Sequence, residues 1–200
     1  MDKLQQRLDG KKVAMLVANG FEQVELTEPR AALIAAGAET DLISPVEGTV
    51  KAFKHDKPGD EFLVDVNLKE ADPEKYDALV LPGGVANPDT LRITPEAVAF
   101  IKAFFDAGKP VAAICHGPWP LIEAGAAKGR TMTSWPSLQS DLRNAGANWV
   151  DREVVVDNGL VTSRKPADIP AFNEKVIEAI AAIVRDPGET KLAHEPMASV

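Results

Sequence analysis

Val111-Ala112-Ala113-Ile114-Cys115-His116-Gly117-Pro118 is the stretch that decides the fold and the candidate site of this chain. An apolar run leads into Cys115, the only cysteine among 200 residues, and a helical pattern follows Pro118. Ala113 and Gly117 put small side chains two residues before and after the cysteine. A nucleophile on a sharp strand-to-helix turn needs this spacing, because larger side chains would clash where the backbone reverses. The stretch therefore predicts a reactive thiol at a helix N-terminus, where unpaired N–H groups favour the thiolate.

Apolar runs of strand length alternate with helical patterns on both sides of this stretch. Core strands are predicted at 12–18, 39–43, 76–81 and 111–114, and Thr27-Glu28-Pro29 predicts the start of the first helix. Continuous apolar runs are typical of parallel strands that are buried on both faces. The alternation predicts an α/β fold with a mostly parallel sheet and helices on both faces. In such sheets, sites lie beyond the carboxyl ends of the strands.

The chain length matches one domain of ordinary size. We expect a polar lead-in over residues 1–11, a single α/β domain over 12–184 and a tail without periodicity over 185–200. Alternating segments at 49–53 and 62–66 predict a small antiparallel excursion with a loop at 54–60 between them.

Composition excludes several classes of protein. The net charge is −8 and the basic residues form no long patch, which argues against a nucleic-acid or anionic-membrane binder. There is no apolar signal region and no apolar run of membrane-spanning length, and one cysteine makes no internal disulfide, so we expect a reduced thiol in the cytoplasm. Three scattered histidines and one cysteine give no metal-ligand spacing, and nucleotide-binding motifs are absent, so we expect neither metal nor cofactor.

Polar residues follow three predicted strands and form a candidate constellation with Cys115. Glu22 follows the first strand, and a desolvated carboxyl there would act on the sulfur or as an acid or base, whereas Glu25 is expected to face solvent. Gly83 and Gly84 end the third strand, and their N–H groups suit an oxyanion hole. Each residue also has an ordinary alternative: a solvated glutamate, a plain turn and, for Cys115, a small buried apolar side chain.

His116 and Asp89 complete the candidates. The imidazole of His116 can exchange a proton with the Cys115 thiol only if the bend turns both side chains towards one cleft. Otherwise His116 caps a helix or is exposed to solvent. Asp89 is placed to orient His116, although a cap of the short turn that follows is the alternative that the sequence alone favours.

Three motifs carry a resemblance to a known family. Ala-Ile-Cys-His-Gly-Pro at 113–118, Leu-Pro-Gly-Gly at 81–84 and Phe-Glu-x-Val-Glu-Leu at 21–26 resemble the PfpI family of intracellular-protease-like and stress proteins, within the class I glutamine amidotransferase-like superfamily. The resemblance implies a flavodoxin-like three-layer sandwich and a cofactor-free site. It implies that Cys115 is the nucleophile and His116 its partner, that Glu22 contacts the sulfur, and that N–H groups near Gly84 and His116 form the oxyanion hole.

The resemblance also implies a homo-oligomer with its site near an interface. In proteolytic members a carboxylate from a neighbouring subunit completes a triad, and Asp89 is the matching position here. Family proteases have glutamate there, and Trp119 stands where glutamine is usual, lining or crowding the pocket together with Gly117. Glutamine hydrolysis is rejected, because the downstream region Ser163-Arg164-Lys165-Pro166 has no histidine.

Three functions remain open from the sequence. The first is an enzyme in which Cys115 attacks a carbonyl carbon, either of a reactive carbonyl or its protein adduct, as in a deglycase or glyoxalase, or of a peptide. The second is a non-enzymatic stress sensor or chaperone that responds to oxidation of Cys115. The third is an inert protein that retains the turn. Asp89 is one methylene shorter than the glutamate of the family's proteases. This difference weighs more against proteolysis than against reaction with small carbonyl compounds.

Overall fold

Strands and helices follow one another along residues 8–183, the part of the chain that the computed structural model describes. The strands in this range are β1 (Lys12–Leu16), β2 (Phe21–Glu22), β3 (Glu39–Ser44), β4 (Thr49–Lys54), β5 (Lys57–Leu63), β6 (Val66–Asn67), β7 (Ala78–Leu81), β8 (Val111–Ile114), β9 (Thr131–Met132), β10 (Asn148–Trp149), β11 (Val154–Asp157) and β12 (Leu160–Ser163). The α-helices are α1 (Gln23–Ala35), α2 (Ala86–Arg92), α3 (Pro95–Asp106), α4 (Pro120–Glu123), α5 (Gln139–Asn144) and α6 (Ile169–Ala181). Three 3₁₀ turns lie at Pro73–Lys75, Pro136–Leu138 and Pro166–Asp168.

The central sheet has seven strands in the order β11-β12-β8-β7-β1-β3-β6. Its pairs are parallel except for β11 with β12. From β1 the chain goes to β3 on one side and returns to β7 on the other, so the strand order reverses between β1 and β7. Sites in open α/β sheets lie at this point, outside the carboxyl ends of the strands. The ends of β1, β7 and β8 are therefore the place to look.

Each face of the sheet has its own apolar core, as the predicted α/β sandwich requires. On one face α1 and α6 pack over alternate residues of β1, represented by Val13 and Met15. On the other face α3 packs Phe100, Ile101 and Phe104 against the opposite residues of β1, β7 and β8. The prediction of a mostly parallel sheet with helices on both faces is confirmed.

Two local predictions need correction. The first helix begins at Gln23, four residues before the predicted Thr27, and Pro29 lies inside it, where its missing N–H leaves the carbonyl of Glu25 without its helical donor. The antiparallel excursion exists as β4 and β5, which pair with β2 in a separate three-stranded sheet. Its connection is a tight turn at His55, not a loop over 54–60, because β4 extends to Lys54 and β5 begins at Lys57.

The ends of the chain are described only in part. Residues 1–7 of the expected lead-in and the expected tail over 185–200 lie outside the described range. Leu8, the first described residue, is fully buried and donates its N–H to the carbonyl of Ala36, so the lead-in joins the core from this point. Within residues 8–183 no helix has the length and apolarity needed to cross a membrane.

Candidate active site

Cys115 lies immediately after β8, on a strained backbone turn. Its φ is +63°, in the left-handed region that non-glycine residues seldom adopt. Its N–H donates to the carbonyl of Ser163 at 3.1 Å and its carbonyl accepts from the N–H of Trp135 at 2.8 Å, so both peptide groups are held by neighbouring segments. This is the sharp turn that the spacing of small residues predicts. The two backbone hydrogen bonds to neighbouring segments hold it in its strained conformation.

The segment after Cys115 differs from the prediction. Tight turns occupy residues 115–119 and α4 begins only at Pro120, so the thiol is not at the N-terminus of a helix. Gly117 is buried, and a Cβ there would lie 2.8 Å from the carbonyl oxygen of Ile114 and still closer to that of Leu81. Gly117 therefore allows the close approach of backbone segments, and it is absent from the residues that line the cleft at Cys115.

Glu25 is the carboxyl next to the sulfur, and not Glu22 as expected. It is fully buried in the first turn of α1, where its Oε2 accepts the N–H of Gly83 at 2.8 Å and its side chain hydrogen-bonds to Cys115. Burial, with a smaller contribution from the charge of Glu22, raises the pKa of this carboxyl to about 8 despite the two hydrogen bonds. Its other oxygen, Oε1, has no fixed partner among the described residues, so it is the atom available for a proton.

Glu22 lies at the edge of the cleft. Its Oε2 accepts the N–H of His55 at 2.9 Å, and the two side chains approach to 3.8 Å. The carboxylate therefore faces the β4–β5 turn, although Glu22 still lines the cleft that contains Cys115. The expectation that Glu22 contacts the sulfur is wrong, because the early start of α1 turns Glu25 inward instead.

Backbone N–H groups converge on the sulfur. Those of Gly84 and His116 both hydrogen-bond to the Cys115 side chain and favour its thiolate. Gly84 needs its positive φ of +76°, and Gly83 leaves no room for a side chain, because a Cβ would lie 2.7 Å from Cβ of Cys115. Asn87, which is buried, donates to the carbonyls of Pro82 and Gly83 at 2.9 and 3.0 Å and so holds this loop in place.

His116 contacts the sulfur with one ring nitrogen and Ser137 with the other. Its Nδ1 lies 3.2 Å from Sγ of Cys115, and its Nε2 lies 3.2 Å from Oγ of Ser137. The ring stacks on Trp135 with centroids 6.0 Å apart. Burial lowers the pKa of His116, so the imidazole is neutral at neutral pH and one of its nitrogens is free of a proton.

Asp89 and Trp119 do not line the cleft, although the ring of Trp119 lies 6.4 Å from that of His116. Asp89 is exposed on α2, and neither nitrogen of His116 faces it within the chain, since Cys115 and Ser137 occupy both. Trp119 donates its Nε1–H to Asp141 at 3.0 Å and is covered by the guanidinium of Arg92. The aromatic ring that lines the cleft is Trp135.

The cleft is small and partly open. Its volume is about 190 Å³, and Glu25, Cys115, His116 and Trp135 line it together with residues of its rim. Burial raises the pKa of the Cys115 thiol well above its ordinary value, and a charged Glu25 would raise it further. Within residues 8–183 no group of three or more histidine, cysteine, aspartate or glutamate side chains is arranged to hold a metal ion.

Comparison with known proteins decides the family. A family model described as the DJ-1/PfpI family matches residues 11–179. The chain belongs to the DJ-1/PfpI family. It is 44% identical over 169 residues to proteins named deglycase from Pyrococcus horikoshii and from Thermococcus kodakarensis, covering 84% of this chain and 99% of each relative. The crystal structure of Drosophila melanogaster DJ-1beta superposes with a TM-score of 0.78 at 29% identity, covering 86% of this chain and 90% of that one.

Membership of the DJ-1/PfpI family confirms the resemblance predicted from the three motifs and the flavodoxin-like α/β fold. Sequence reasoning brought Cys115, His116 and Gly84 together correctly as neighbours. It missed Ser137 and Trp135, which come from the segment after β9. The sequence shows a tryptophan and a serine shortly after a short strand, but their spacing does not predict that they lie next to Cys115.

Proposed function

We propose that this protein is a deglycase-type enzyme that acts on reactive α-oxoaldehydes and their protein adducts through Cys115. The observation that carries the proposal is the position of Sγ in a small cleft, between the N–H groups of Gly84 and His116 and the carboxyl of Glu25. The relatives named deglycase at 44% identity support the same reaction class.

At neutral pH both Glu25 and the Cys115 thiol are protonated in the resting site, because burial raises the pKa of each. Two negative charges side by side in a buried site are unfavourable, and the pKa of about 8 keeps Glu25 protonated at pH 7. A protonated Glu25 removes the charge repulsion that opposes ionisation of the thiol, so burial is left as the largest cause of the raised thiol pKa. The N–H groups of Gly84 and His116 then stabilise the thiolate.

The reaction begins when neutral His116, with Nδ1 3.2 Å from Sγ, accepts the thiol proton and Sγ attacks the aldehyde carbon of the α-oxoaldehyde. A C–S bond forms, the carbonyl electron pair moves to oxygen, and Glu25 supplies the proton that makes a hemithioacetal. The proton on His116 then passes to the ionised Glu25, and neutral His116 transfers the proton of the sulfur-bound carbon to the adjacent carbonyl carbon. The hydroxyl proton moves to the oxygen of that carbonyl, which gives a thioester of a 2-hydroxy acid. Water cleaves the C–S bond and restores the thiol. The sum is one oxoaldehyde plus water giving one 2-hydroxy acid, with no external oxidant.

For an adduct on a thiol or amine, the bond between the adduct carbon and sulfur or nitrogen breaks first. The adduct hydroxyl gives its proton to the leaving group, which becomes a free thiol or amine, and the oxoaldehyde left in the cleft follows the same steps. A cleft of about 190 Å³ suits a three-carbon adduct. A peptide substrate needs an oriented histidine and a route for an extended chain. The side chain of Asp89, one methylene shorter than the glutamate of the family's proteases, weighs against the peptidase alternative.

The experiment compares wild-type protein, Cys115→Ser and Ser140→Ala on three substrates. These are methylglyoxal, its hemithioacetal with N-acetylcysteine and a fluorogenic peptide, with release of lactate, free thiol or fluorophore as readouts. Ser140 is exposed on α5 and serves as the control. We expect turnover of the first two substrates, lost in Cys115→Ser and kept in Ser140→Ala. Equal turnover in Cys115→Ser and wild type contradicts the proposal.

The second candidate is a sensor of oxidative stress, supported by the same groups around a single cysteine. A sulfinate formed on Cys115 would accept a hydrogen bond from protonated Glu25 and the N–H groups of Gly84 and His116. With no other cysteine in the chain, an internal disulfide does not form. A peroxide-dependent mass increase of two oxygens at Cys115, without turnover of any of the three substrates, favours this function.

We propose further that the protein works in the cytoplasm as a homo-oligomer in which Asp89 faces a neighbouring subunit. Its helix α2 is flanked by exposed apolar side chains, with Val85 60% and Ile93 78% exposed. Burial of such side chains between subunits is favourable. Light scattering tests this, and a monomer at working concentration contradicts it.

A further inference from the structure

A second cleft of about 200 Å³ adjoins the one that contains Cys115. The two share Glu22, His55, Gly84 and Val85, so they meet along a common wall. The second cleft adds Phe53 and the backbone at Gly20, and it extends towards the β4–β5 turn. The catalytic steps proposed above use none of the residues that belong to the second cleft alone.

The chemistry of this second cleft is that of a site for a flat cation. Glu22 and Phe53 are directly paired between the parallel strands β2 and β4, so their side chains lie on the same face of the small sheet. Glu22 is the one carboxylate in the lining, and its side chain is 12% exposed. Phe53 is 37% exposed, which leaves ring surface available to a ligand.

Nearby cations do not cancel the charge of Glu22. Lys54 pairs with Asp60 at 3.3 Å, on the other side of the turn. His55 approaches Glu22 to 3.8 Å, but its side chain is 82% exposed and lies at the mouth of the cleft. The main interaction of Glu22 is with the N–H of His55, through Oε2 only. Its other oxygen therefore remains for a ligand.

We propose that the second cleft binds the guanidinium group of an arginine side chain whose carbonyl adduct reaches Cys115. The identity of the adduct rests on the proposed function, whereas binding of the guanidinium does not. A guanidinium matches a carboxylate in shape and stacks on an aromatic face, which Glu22 and Phe53 offer together. Because Glu22 lines both clefts, a guanidinium held there places the carbon bonded to its nitrogen at the entrance to the Cys115 cleft.

The test measures binding without depending on turnover. Nα-acetylarginine amide and Nα-acetylcitrulline amide have the same shape, and only the first is charged. Isothermal titration of the full-length protein gives the ratio of their Kd values for wild type, Glu22→Gln, Phe53→Leu and Glu28→Gln. Glu28 is exposed on α1 and is the charge-matched control. Glutamine at position 22 keeps an oxygen for the N–H of His55, so this variant is expected to fold.

We expect wild type and Glu28→Gln to bind the arginine probe about tenfold more tightly than the citrulline probe. The preference is expected to fall below about twofold in Glu22→Gln and to an intermediate value in Phe53→Leu. Absence of an arginine preference in wild type, including no measurable binding of either probe, overturns the inference, and so does a preference that survives in Glu22→Gln. Turnover assays on the same proteins test the proposed function separately. Arginine-selective binding without turnover would support the guanidinium site and contradict the proposed deglycase activity.

Discussion

Oγ of Ser137 lies 3.2 Å from Nε2 of His116, on the opposite side of the ring from the sulfur of Cys115. The imidazole is thus held between a hydroxyl and a thiol, where hydrolytic triads place a carboxylate and a nucleophile. A hydroxyl donates or accepts, so it orients the ring without stabilising an imidazolium as a carboxylate does. This agrees with the lowered pKa of His116.

Replacing Ser137 is therefore expected to change the orientation of the His116 ring and to leave the surroundings of the Cys115 sulfur as they are. In Ser137→Ala we expect kcat to fall by about three- to tenfold with little change in KM, because the orientation and tautomer of His116 are no longer held. In Ser137→Asp we expect the pKa of His116 to rise, which moves the acidic limb of the kcat profile to higher pH. Ser137→Thr should restore activity and Ser140→Ala should leave it unchanged. Identical pH profiles for Ser137→Asp and wild type contradict a positioning role.

The proton on Glu25 predicts a basic limb in the pH dependence of activity. As pH rises through about 8, Glu25 ionises and its charge opposes the thiolate of Cys115. We expect kcat/KM on methylglyoxal to fall in this range in wild type. Glu25→Gln is neutral at every pH, so its profile should lack the fall, whereas the control Glu28→Gln should keep it. A basic limb that persists in Glu25→Gln contradicts this assignment.

The same carboxyl predicts that stability depends on pH. The pKa of Glu25 is raised from 4.5 when unfolded to about 8 when folded, so between these values the folded state binds one more proton than the unfolded state. Stability from this group is fully present below pH 4.5 and is lost as pH rises towards 8, by about 1.4 kcal/mol per pH unit.

Urea unfolding at pH 5 and pH 8 measures this effect as the difference between wild type and Glu25→Gln. We expect Glu25→Gln to gain stability relative to wild type as pH rises, because it does not carry the proton-linked loss. A difference that is constant between pH 5 and pH 8 contradicts the raised pKa.

Gly83 predicts a steric test of the site. A Cβ at this position would lie 2.6 Å from Oε2 of Glu25 and 2.8 Å from the N–H nitrogen of His116. We expect Gly83→Ala to cost about 1–3 kcal/mol in the free energy of unfolding and to abolish turnover, because the overlap separates these groups. Gly108→Ala is the matched control. It has a positive φ of +65° but no atom within 4 Å, so it should lose stability and keep full activity. Full activity of Gly83→Ala contradicts the packing described for the site.

The parallel sheet and the turn at Cys115 could be predicted from the sequence, because apolar runs and small flanking residues report on local backbone and burial. The carboxyl at the sulfur could not. Pro29 indicated a helix start near Thr27, whereas α1 begins at Gln23 and encloses the proline, since packing of its apolar face outweighs one lost hydrogen bond. That shift of four residues moves Glu25 from an expected exposed position into the core.

Ser137 and Trp135 could not be predicted for a different reason. They reach His116 from a segment about twenty residues further along the chain, and only tertiary packing determines that approach. Trp119 lies next to the site without lining the cleft. Its ring is 6.4 Å from that of His116, but Asp141 holds its indole N–H and Arg92 covers its ring.

The hydrogen bond from Gly83 to Glu25 joins residues 58 positions apart, and the sulfur they surround is further along still. No short segment of this chain therefore contains the site. During synthesis and refolding, Cys115 is an ordinary thiol until β1, β7 and β8 have docked with α1. Its rate of alkylation consequently reports the completion of folding, and a chain caught in a partly folded form would react like a free cysteine in solution.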